Sequence, residues 1–256
     1  MKGAVAKKLA VNALYIACVI GIVFGVWALA AAAADSEFVL PDIGTTFAAL
    51  GDVFTLSDFW SGFGGTMLRC VISYAISIVL AGGLFFACSI CKPASRLIGP
   101  IVSALRTLPT MAVSLLLAIW AGAKLAPIIL GVLVLMPMIF SALTARTATL
   151  PIELIEVAKL CGAGRVRVFL HVTLPYAASA LPESLSSAFS FGVKIVIAAE
   201  ILMQTANSLG MLMYLSQTYL QTAMLLAFVF VAVVVSVASE YAIRAALFLG
   251  LNRFRD

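Results

Sequence analysis

The chain is predicted to be an all-α integral membrane protein, and three observations carry that reading. Of its 256 residues 64% are apolar and 11% charged; the apolar residues fall in runs long enough to cross a bilayer; and the bases gather in particular intervals between those runs. So little charge cannot wrap a soluble globule in a wet surface.

A membrane helix needs about 20 predominantly apolar residues. Charge-poor stretches near 9–34, 62–90, 98–121, 125–145, 176–203 and 222–249 qualify, which gives six spans. The first follows Lys7-Lys8 and ends with Ala31 to Ala34 before Asp35, as a cleavable signal peptide would. Its apolar part is about twice the usual signal length, so it is read as a retained helix. Segment 35–58 carries Asp35, Glu37, Asp42, Asp52 and Asp58 with no base, and is expected to be an external loop. Only Gly122-Ala123-Lys124 separates the third span from the fourth, and Arg106 interrupts the third; a tight helical hairpin fits both facts.

Lys and Arg resist translocation, so their placement orients the chain. Twelve of the sixteen fall on one side: Lys2, Lys7, Lys8, Lys92, Arg96, Arg146, Lys159, Arg165, Arg167, Arg244, Arg253 and Arg255. Lys124 stands alone opposite. Both termini and the segment 146–175 are therefore expected in the cytoplasm. Dispersed over four segments, without interleaved aromatics or a binding motif, these bases do not read as a nucleic-acid surface.

The 146–175 segment is long for a connection between spans, and it has its own start and stop signals. Pro151 can open a helix because its missing N–H would be unpaired there in any case. Glu153 and Glu156 follow, where negative charge complements a helix N-terminus. Gly162 and Gly164 permit a turn, Arg165 and Arg167 begin the return, and Leu174-Pro175 is expected to start the next membrane helix.

Charges inside spans are expensive enough to require a partner, water or a pathway. Arg69, Arg106, Glu183, Lys194 and Glu200 are the candidates. Glu183 and Lys194, eleven positions apart, share a helix face about 16 Å apart and cannot pair with each other. Interhelical ion pairing is the preferred reading of the group, and a polar lining for an anionic or zwitterionic solute is the other. Gly21-x-x-x-Gly25, Gly62, Gly64-Gly65 and Gly82-Gly83 are read as close helix packing, and Met203, Met211, Met213 and the phenylalanines near 189–191 as core or lipid-facing.

Five cysteines imply no disulfide framework, since Cys18, Cys70 and Cys88 lie in spans as small apolar residues. Cys88-Ser89-Ile90-Cys91 has C-x-x-C spacing, but a zinc site needs more ligands and the one histidine, His171, lies in another segment. The sequence holds neither a phosphate-binding Gly-rich loop with Lys and Ser or Thr nor a convincing acid/base constellation.

Glu156-Val157-Ala158-Lys159-Leu160-Cys161-Gly162, followed after nine residues by Val172-Thr173-Leu174-Pro175, resembles the EAA loop of ABC-importer permeases. Only Val157 and Val172 depart from the pattern. The resemblance extends along the chain and looks closest to the nitrate/sulfonate/taurine branch. Val39-Leu40-Pro41, Thr66-Met67-Leu68-Arg69, Pro100 with Leu105-Arg106-Thr107-Leu108-Pro109, Ala199-Glu200 and Leu209-Gly210 match its short motifs in order, with Ser208 standing where a first Gly is expected.

That resemblance implies a type I, MetI-like permease: an N-terminal helix and external loop over 1–61 and a core over 62–256 with its coupling segment at 151–175. Glu153, Glu156, Ala158, Gly162, Leu174 and Pro175 would form the surface that seats in an ATPase groove. The implied partners are an ABC ATPase dimer that binds ATP and Mg, a second permease copy, and an extracytoplasmic solute-binding protein, in a bacterial cytoplasmic membrane. No cofactor is assigned to this chain itself. An ion-coupled secondary transporter, using acids such as Glu183 and Glu200, is the alternative; a membrane enzyme would need a catalytic cluster.

Overall fold

The computed structural model describes residues 2–34, 36–179 and 181–253. In chain order they form α1 (Lys2–Ala34), α2 (Ile43–Val53), α3 (Ser57–Ile90), α4 (Lys92–Arg106), α5 (Thr110–Thr147), α6 (Ile152–Leu160), α7 (Arg165–Val168), a π turn (Phe169–Thr173), α8 (Leu174–Ala178), α9 (Leu181–Met203), α10 (Leu209–Thr218) and α11 (Thr222–Arg253). Among the described residues four helices are long and apolar enough to cross a membrane: Ser57–Ile90, Thr110–Thr147, Leu181–Met203 and Thr222–Leu249, with Cys18–Ala34 a shorter apolar stretch.

α1 covers the first of the six expected spans, and one other expected span is broken. The stretch 98–121 is not continuous: α4 stops at Arg106, and Pro109 holds the residues before it out of helix. α5 is helical throughout except at Gly122, which has φ 71 and ψ 164. A straight helix would carry Ser141 about 45 Å from Thr110, yet Arg106 Nη1 donates to Ser141 Oγ at 3.3 Å. The chain therefore doubles back at Gly122, as the hairpin reading required, and a positive φ that residues with a Cβ resist makes the reversal. Leu117 of the outgoing arm packs in one cluster with Ala126 and Leu130 of the returning arm.

The expected external loop is partly helical. Asp42 caps α2, its Oδ1 accepting from Thr45 N–H at 2.6 Å, and hydrogen bonding by Thr45 holds its carboxyl below the ordinary carboxylate range. Thr46, Ala49 and Val53 recur at helical spacing and are buried, and α2 packs on α11. α1 joins them through Trp27, whose Nε1 donates to Pro41 O at 3.1 Å and whose ring stacks on Phe230.

The core sits around α9, which lies between α5 and α11, while α5 also packs on α3. Close approach is bought by Gly131 and Gly192, where a Cβ would meet Ser73 and Leu135 at 2.9 and 2.8 Å. The glycines expected to mark packing behave unevenly. Gly62 and Gly65 abut the 207–208 backbone, whereas Gly21, Gly25, Gly64, Gly82 and Gly83 have open space beside them. Met203, Met213 and Phe189 are core residues, while Phe191 is 42% exposed.

Candidate functional site: a surface coupling helix and an intramembrane ion pair

α6 is nine residues long and buries none of them. Pro151 is its N-cap, Glu153 lies in the first turn and Lys159 in the last, so both charges complement the helix dipole. Its end is a Schellman closure. Gly162 N–H donates to Lys159 C=O at 2.9 Å and Ala163 N–H to Ala158 C=O at 3.0 Å, with Gly162 at φ 77. Gly164, expected to share the turn, instead caps α7 in extended conformation at φ −69, which any residue adopts.

Ile155 and Ala158 form the half-buried inner side of α6, while Glu153, Glu156, Leu154, Val157 and Leu160 are exposed. Leu160 is 87% exposed, so a short helix carries apolar side chains and two carboxylates outward without covering them. α3 is about 50 Å long against a hydrocarbon core of about 30 Å. Its last residue, Ile90, accepts at 3.4 Å from Arg165 Nη1, which ties the α6–α7 connection to the end of a spanning helix.

Leu174 and Pro175 do not start the following span. They open α8, which continues from the π turn, and α9 begins at Leu181. Leu174 N–H donates to Phe169 C=O across the wide turn, and the helix changes register just where Pro175 has no N–H to place.

The intramembrane charges separate into three kinds. Arg69 Nη1 lies 2.9 Å from Glu200 Oε1, with Glu200 fully buried and Arg69 12% exposed. Thr66 Oγ1 donates to Glu200 Oε2 at 2.8 Å and accepts from Leu209 N–H at 2.9 Å, and Gly210 N–H reaches the same carboxylate oxygen at 3.3 Å. Arg69 also donates to the carbonyls of Ala206 and Asn207 at 3.0 and 3.2 Å. The ion pair thus fastens α3, the end of α9 and the turn into α10 together.

Glu183 meets Arg244 at 3.7 Å, but their side chains are 82% and 48% exposed, a geometry worth about 0–1 kcal/mol. Among the described residues Arg106 reaches the Ser141 hydroxyl and makes no ion pair. Lys194 is exposed and makes no ion pair among the described residues.

Several residues of the knot were named from the sequence only as motif or packing positions, not as partners of the ion pair. Thr66 bridges carboxylate and helix N-terminus; Gly65 lets the Asn207 carbonyl approach; Gly210 lies against the Glu200 side chain. Thr66 and Arg69, three apart on one helix face, were the available signal. Ser208 resolves the turn at the position where Gly was expected: it is extended (φ −146), and its Oγ caps α10 by accepting from Met211 N–H at 2.9 Å. The left-handed conformations fall on Gln204 and Asn207 instead.

Residues 79–253 match the family described as "Binding-protein-dependent transport system inner membrane component". This covers more than half of the chain, and the chain belongs to that family. It is an all-α, multi-pass inner-membrane transport component, not an enzyme. Among solved structures it is similar to a chain of the MetNI methionine ABC transporter in inward-facing conformations, with a TM-score of 0.53 at 19% identity over 73% of this chain and 93% of that one. At that identity the likeness concerns the fold, which is the MetI-like permease fold. No curated protein matches the chain.

Proposed function

We propose that the chain is the pathway-forming permease subunit of an ATP-driven ABC importer, working as a homodimer. Each copy docks one ATPase on α6, and an external binding protein delivers the solute. The observation that carries this reading is α6 itself: a short helix closed at its C-terminal end, whose every residue is at least partly exposed, tied to the end of a long spanning helix in a chain of a transport-component family. Closure of the ATPase pair draws the two α6 helices together and turns the pathway outward; hydrolysis reverses the movement as rigid-body alternating access. ATP and Mg belong to the partner.

Orientation follows the bases, with both termini and α6 cytoplasmic and α2 outside. The sequence motifs favour the nitrate/sulfonate/taurine branch, whose members by resemblance also include importers of vitamin precursors. An ion-coupled secondary transporter needs an intramembrane acid free to exchange protons, whereas Glu200 is held by Arg69, Thr66 and Gly210 and Glu183 stands beside Arg244. The test is affinity purification of the tagged full-length chain from its own membranes. An ATPase recovered at two copies per two permeases is expected; transport by the purified chain alone under an ion gradient would overturn the proposal. A stable active complex with a different second permease would refute the homodimer.

A further inference from the structure

Six positions of α9, namely Glu183, Ser187, Phe191, Lys194, Ala198 and Leu202, recur every three or four residues and make one stripe along its length. All are at least partly exposed, while the rest of the helix is largely buried: Val193, Val196, Ile197, Ala199 and Glu200 all point into the chain. Lys194 lies thirteen residues from the start and nine from the end of a helix about 35 Å long, so its ammonium belongs to the middle of the bilayer. Glu183, on the same stripe, is about 16 Å away and sits beside Arg244. Glu200 is inside the Arg69 knot. A cation at that depth requires protein or water on its open side rather than lipid.

We infer that Lys194 is the cation of a binding station for small solutes bearing an oxyanion, in a water-filled route whose opposite wall is the same stripe of a second copy. The inference rests on the proposed importer reading, and it adds the charge class of the solute and the residue that attracts it. A lone ammonium, with no carboxylate paired to it among the described residues, favours an anion over a cation. The hydroxyl of Ser187 and the ring of Phe191 flank it on the same face with a polar group and an apolar body.

The test is thiol accessibility in the full-length chain in membrane vesicles, with the five native cysteines replaced and a single reporter placed at Phe191→Cys or Ala198→Cys. Two methanethiosulfonate reagents are compared, one bearing a sulfonate and one a quaternary ammonium. Both reporters are expected to react, with a sulfonate-to-ammonium rate ratio above that of a small free thiol in solution. Lys194→Gln should lower the sulfonate-to-ammonium rate ratio about tenfold, because a unit charge about 6 Å away in water changes each rate about threefold in opposite directions. Lys194→Arg should restore it. Reporters that react with neither reagent, or a ratio indifferent to Lys194→Gln in protein present at wild-type levels, would overturn the inference. The labelling needs no ATPase, so an ATPase that co-purifies while labelling fails removes only this station. Successful labelling without an associated ATPase removes the importer reading and leaves the anion route.

Discussion

Arg69 and Glu200 lie 131 residues apart in sequence, yet their charged atoms approach to 2.9 Å and close α3 onto the end of α9. Both carboxylate oxygens and both terminal guanidinium nitrogens have partners: Thr66, Gly210 and two carbonyls take up what the ion pair leaves. Removing one member leaves the other as an uncompensated buried charge, which costs about 3–5 kcal/mol. Arg69→Met or Glu200→Leu alone should therefore lower thermal stability in detergent sharply, and the double variant should lose much less than the two losses added. Additive losses in that double-mutant cycle would show that the two charges do not stabilise one another.

Two adjacent glycines of α3 should respond oppositely to the same change. Gly65→Ala forces a methyl into the Asn207 carbonyl, and overpacking of this kind costs about 1–3 kcal/mol. Gly64→Ala meets open space and gains helix propensity, so stability should hold or rise by about 0.5–1 kcal/mol. Melting curves of the two purified variants decide this, and equal destabilisation would refute the close approach of α3 to the 204–208 turn.

Glu156→Lys and Gly162→Asp should uncouple transport while the membrane domain stays folded. Glu156 is exposed on α6, so reversing its charge alters the docking surface without disturbing a packed core. Gly162 has open space but φ 77, so any side chain strains the Schellman closure by about 1–2 kcal/mol and the carboxylate adds charge beside the docking face. Expression should stay near wild type while co-purification of the ATPase or solute-stimulated ATP hydrolysis falls. Wild-type transport by both variants would remove α6 from the coupling role.

Topology can be read from two thiols. Cys161 is exposed beside the end of α6, and Ser57 is exposed at the start of α3. In intact cells an impermeant thiol reagent should label Ser57→Cys in a background lacking the native cysteines, and should leave a variant retaining only Cys161 unlabelled until the membrane is opened. The reverse pattern would invert the orientation and place α6 outside.

The sequence by itself determined the membrane class, most of the helical runs and the short exposed helix α6, because each is written in neighbouring residues: apolar length for the spans, and Pro151, Glu153 and Gly162 for a short helix with both ends marked. The Gly122 reversal was legible for the same reason, as three residues between two apolar runs leave room only for a hairpin. Local rules failed where distant segments compete. Leu174-Pro175 reads as a helix start, yet the π turn before it absorbs the proline and defers the span to Leu181. Arg106 sits in an apolar run, but Pro109 divides the run and the hairpin brings the guanidinium to Ser141. Which intramembrane charges are paired was decided by tertiary structure alone. Glu200 and Lys194, six residues apart on one helix, differ because one side of α9 meets α3 and the next turn, while on the stripe carrying Lys194 the one ion pair among the described residues is that of Glu183 with Arg244. A spacing rule gives the face on which a residue stands; only the packing of helices gives what stands opposite.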